Sequence, residues 1–74
     1  MSDVAEGAKE RVLEEVLRIV EEAQRTSSVV RAGYHAGQLL AVYPHAGFSL
    51  GRIIDEIVAA AGAAKVPVEI SRDQ

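Results

Sequence analysis

From Val12 to Ala23 the apolar residues Val12, Leu13, Val16, Leu17, Val20 and Ala23 fall at steps of three and four. That spacing matches the turn of an α-helix and gathers them on one face. A helix with one apolar face must hide it, so the rest of the chain has to supply elements that cover it. The spacing predicts this helix over 4 to 24. Glu14 with Arg18 and Glu21 with Arg25 add i,i+4 pairs in the favourable order, and Thr26-Ser27-Ser28 ends the pattern with residues suited to capping.

The segment 29 to 43 carries two apolar stripes. Val29, Ala32, Gly33, Ala36, Leu40 and Tyr43 form the main one, with Leu39 at its edge. Val30, Tyr34, Gly37 and Ala41 form a second, leaving Arg31, His35 and Gln38 as a narrow polar strip. A helix apolar over most of its circumference is normally covered on two sides, so this reads as the central helix, touching both others or a second copy. Gly33 and Gly37 are unfavourable inside a helix and would suit a hairpin turning at 35–38, which leaves an α+β fold with a hairpin at 29–43 as the alternative.

Pro44 stops that segment and His45-Ala46-Gly47 makes a turn. Ser49 is then placed to cap a third helix over 50 to 61, with Phe48 stapled to Ile53. Leu50, Ile53, Ile54, Ile57, Val58 and Ala61 share its apolar face, and Gly62 is expected just beyond its end. In 66–70, Val66, Val68 and Ile70 alternate with polar or proline positions, the pattern of an extended edge segment. Nothing else in the chain reads as a strand, so this one is expected to lack an internal partner. The expectation is an all-α domain spanning 1–74, three helices followed by an extended tail at 66–74.

Composition matters where stability is concerned. A chain of 74 residues folds with about 60% of its surface buried. Apolar burial worth about 105 kcal/mol then meets an ordering cost of about 110 kcal/mol. With no cysteine and two histidines, neither a disulfide nor a metal staple tips that balance. A second copy would, so a homodimer is expected. Its candidate interface is Val30, Tyr34, Gly37, Ala41, Val66, Val68 and Ile70.

Charge is uneven. The net value is −3, yet residues 26–54 contain no acid and hold Arg31, Arg52 and both histidines. Arg31, His35, Gln38, His45 and Arg52 are therefore the candidate polar or anion-binding surface. Segments 29–43 and 50–61 with the turn between them also fit a helix-turn-helix, which makes a DNA-binding regulator the alternative function. Its recognition helix, however, would show Arg52 against Asp55 and Glu56, and acidic side chains repel phosphates. Nucleic acid is accordingly an unfavoured partner.

Catalytic chemistry finds no support in the residues. Ser27, Ser28 and Ser49 have no base at triad-like spacing, and the two histidines match no zinc pattern. The glycines match neither a phosphate loop nor a dinucleotide fingerprint. No catalytic, cofactor or metal site is assigned, and no apolar run suits a membrane span or a leader. The expected function is a cytoplasmic, non-enzymatic interaction or regulatory module that acts as a homo-oligomer and engages a protein partner.

Overall fold

A computed structural model describes residues 3–70, so positions 71–74 of the expected tail lie outside the described residues. The order is α1 (Asp3–Thr26), β1 (Val30–Arg31), α2 (Ala32–Val42), α3 (Leu50–Ala64) and β2 (Val68–Glu69). The three expected helices are present, and the hairpin alternative at 29–43 is not. The described chain is a small, mostly helical domain with one short parallel strand pair.

That pair corrects the reading of the tail. Val68 lies opposite Val30 and Glu69 opposite Arg31, and the Val30 N–H donates to the Pro67 carbonyl at 3.0 Å. The internal partner has no sequence signature of its own, because it is two residues long and abuts α2 directly. Val30 therefore does not belong to a stripe on that helix. The β-branched pair Val29-Val30 starts the segment extended, and the helix begins only where Ala32 follows.

One backbone device brings the strands together twice. After α1, Ser27 takes a left-handed φ of 57° while the Ser28 N–H reaches back to the Ala23 carbonyl at 2.8 Å. After α3, Lys65 takes a φ of 61° and the Val66 N–H reaches back to the Ala61 carbonyl, also at 2.8 Å. Both are Schellman ends that reverse the chain out of its helix. Each strand starts three residues after its left-handed residue. The expected stop at Gly62 is thereby corrected: α3 runs on through Gly62, and the left-handed position is Lys65. Gln24 ties the two ends together by donating from its side-chain amide to the Ala64 carbonyl at 3.3 Å.

The core consists of small pieces. Val12, Val16, Val20 and Ala23 from α1 meet Ala32, Ala36 and Leu39 from α2 and Ile53, Ile57 and Ala61 from α3. Val30, Ala46 and Val66 close it. Ile53 and Ile57 are among the largest fully buried side chains, and α3 packs along both other helices. The central helix is thus α3, not the second segment, because the isoleucines of α3 fill the space between partners whose buried side chains are mostly Ala and Val. Ser49 caps α3 as expected, its hydroxyl accepting from the Arg52 N–H at 3.1 Å. Gly47 at a φ of 88° makes the preceding turn.

Candidate functional site

Among the described residues, nothing covers the outward side of α2. Ala32, Ala36 and Leu39 anchor the helix, which leaves Tyr34, Gly37, Gln38, Ala41 and Val42 exposed. Tyr34 is 56% exposed and Val42 66%. Residues at three- and four-residue steps share a face, so Tyr34, Gly37 and Ala41 line up. The absence of side chains at Gly37 and of more than a methyl at Ala41 leaves a shallow depression of about 510 Å³ between Tyr34 and Val42. Of the seven candidate interface residues, these three share one helix face, and Ile70, just after β2, is also exposed.

Val30 and Val66 require correction as interface residues. They are 1% and 7% exposed, because the strand pair folds both into the chain's own core. Val68 is half-buried by the same packing.

Polar groups frame the α2 face. The Gln38 side-chain amide donates to the Tyr34 hydroxyl at 3.0 Å, one turn along the same helix. The Arg31 guanidinium stands 6.0 Å from the Tyr34 ring centroid, and the His35 ring meets that ring edge-on at 5.3 Å. Arg31, Gly33, Tyr34 and Glu69 line a second depression, so the α2 face continues onto β2.

His35 points the other way from the bare face, into the clefts between α1 and α2, beside Arg18, Ile19 and Glu22 on one side and Glu15 and Leu39 on the other. Partial burial, reinforced by the Arg31 charge, holds its imidazole below the ordinary histidine value. The expected polar surface is therefore only partly assembled. Arg31, His35 and Gln38 cluster around Tyr34, whereas His45 sits exposed in the turn before α3. Arg52 is occupied elsewhere, donating to the Glu56 carboxylate at 3.1 Å and standing 5.7 Å over the Phe48 ring.

Leu13 and Leu17, placed on the core face of the first helix by their spacing, are instead exposed on its flank, Leu17 by 55%. The signal lay in the width of the stripe. Val12, Val16, Val20 and Ala23 already fill the contact with α3 and α2, and a second row of leucines exceeds what those helices cover. No helix among the described residues is long and apolar enough to cross a membrane. No family model matches the chain, and neither a curated protein nor a solved structure is detectably similar to it.

Proposed function

We propose that the chain is a small cytoplasmic interaction module without catalytic activity, and that it works as a homodimer. The observation that carries this reading is the bare face of α2. Tyr34, Gly37 and Ala41 stand in line, with exposed Val42 beside them, on the side of α2 away from its buried residues Ala32, Ala36 and Leu39. Tyr34 is a rigid aromatic with its hydroxyl already partnered by Gln38, the kind of side chain that anchors an interface. Gly37 and Ala41 let a neighbouring element approach closely, and no like-charged pair stands on the stripe to repel a twin.

The helix-turn-helix alternative has less behind it. Arg52, its main cationic candidate on α3, is paired with Glu56, and Asp55 is exposed beside it. A phosphate approaching that face meets two carboxylates.

Tyr34→Glu tests the reading, because it places a charge at the centre of the stripe without touching the core. The variant is expected to keep its helical circular dichroism and to elute as a monomer at concentrations where the wild type elutes as a dimer. A variant that dimerises as well as the wild type overturns the assignment of this face.

A further inference from the structure

We infer that the outer edge of β2 is a pairing edge for a second copy, joining two chains through an antiparallel β2–β2 contact on a twofold axis at Val68. The inference rests on the homodimer reading and adds a geometry to it.

In a parallel ladder each residue turns its N–H and C=O to the same edge. The Pro67 carbonyl accepts from the Val30 N–H, so Pro67 and, two residues on, Glu69 face β1. Val68 and Ile70 then turn their backbone groups to the opposite edge, where, among the described residues, no helix, strand or loop bond engages them. Proline usually protects an edge by removing a donor. Here the missing donor of Pro67 is spent on the inner side, and both outward donors are intact. A two-stranded parallel sheet is itself unusual, since parallel strands normally belong to larger covered sheets.

The side chains fit a twin. With the axis at Val68, each Val68 exchanges both backbone bonds with its counterpart. The observed register then sets Val30, Val68 and the same two residues of the second copy in a single row of β-branched side chains. Glu69 falls opposite Pro67 of the twin, so the two Glu69 carboxylates avoid each other, and Arg31 flanks Glu69 on its other side. Ile70 alternates onto the same side as Val68 and is 56% exposed, so the pairing covers part of a side chain that the single chain leaves bare. Centring the axis on Glu69 would oppose two like charges, which selects the valine register.

Amide hydrogen exchange, read residue by residue by NMR on the full chain alongside sedimentation, tests the contact. The Val68 and Ile70 amides are expected to gain at least about 100-fold protection on going from monomer to dimer. A dimer in which both amides exchange freely overturns the strand contact while sparing the α2 face. A chain that stays monomeric overturns both readings. Ile70→Pro removes an outward donor at the exposed end of the strand, where the fold has least to lose. It is expected to weaken the dimer by roughly tenfold or more with helical dichroism unchanged, and undiminished dimerisation would count against the proposal.

Discussion

His35 is a partly buried imidazole on α2. It leaves the polar strip of α2 and enters the clefts against α1, where loss of water disfavours its charged form and Arg31 adds a like charge. A base whose folded pKa is depressed binds fewer protons folded than unfolded at pH values between the two. Its contribution is therefore complete above the unfolded value of about 6.5 and is lost as pH falls from there through the folded value. An NMR titration of the His35 ring is expected to give a midpoint below that of an unfolded histidine. Arg31→Ala should raise it only part of the way, because burial is the larger cause. A midpoint unmoved by Arg31→Ala would contradict the second cause. One that moved all the way would contradict the first.

Helix ends decide the fold more than helix middles do. The left-handed residues Ser27 and Lys65 carry side chains that this conformation disfavours, and both stand at Schellman ends. Lys65→Gly is expected to stabilise the chain by roughly 0.5–1 kcal/mol, since relief of the left-handed strain exceeds the added freedom of the unfolded chain. Urea unfolding measures it, and a lowered midpoint would contradict the assignment. These ends also show where the sequence stops being readable. The apolar rows Val12 to Ala23 and Ile53 to Ala61 are strong periodic signals, and the helices they announce are there. Ser27 and Lys65 carry no such signal, because glycine is what marks a left-handed position, and Gly62, three residues before Lys65, marks the end of α3 too early. Without those turns the pairing of Val30 with Val68 cannot be foreseen, and Val30 is misassigned to a helix stripe. On the candidate surface, Tyr34, Gly37 and Ala41 were legible as a second stripe. That α3 would take the centre and leave this stripe bare depends on which helix carries the large isoleucines, a packing outcome that periodicity alone does not rank.

At the scale of the whole molecule, smallness is the governing fact. A 7.9 kDa chain builds its core from valines, alanines and a few larger side chains, and such a core leaves little surplus over the entropy of ordering the chain. Exposed apolar groups remain at Tyr34 and Val42 on α2, at Leu13 and Leu17 on α1, and at Ile70 beyond β2. The proposed twofold dimer would remove part of that surface from water and add burial that the single chain lacks. The measurement that tests this most directly is sedimentation equilibrium of the wild-type chain across the micromolar range. A reversible monomer–dimer equilibrium is expected, with the heavier species at twice 7.9 kDa. A single species at 7.9 kDa throughout that range would contradict it.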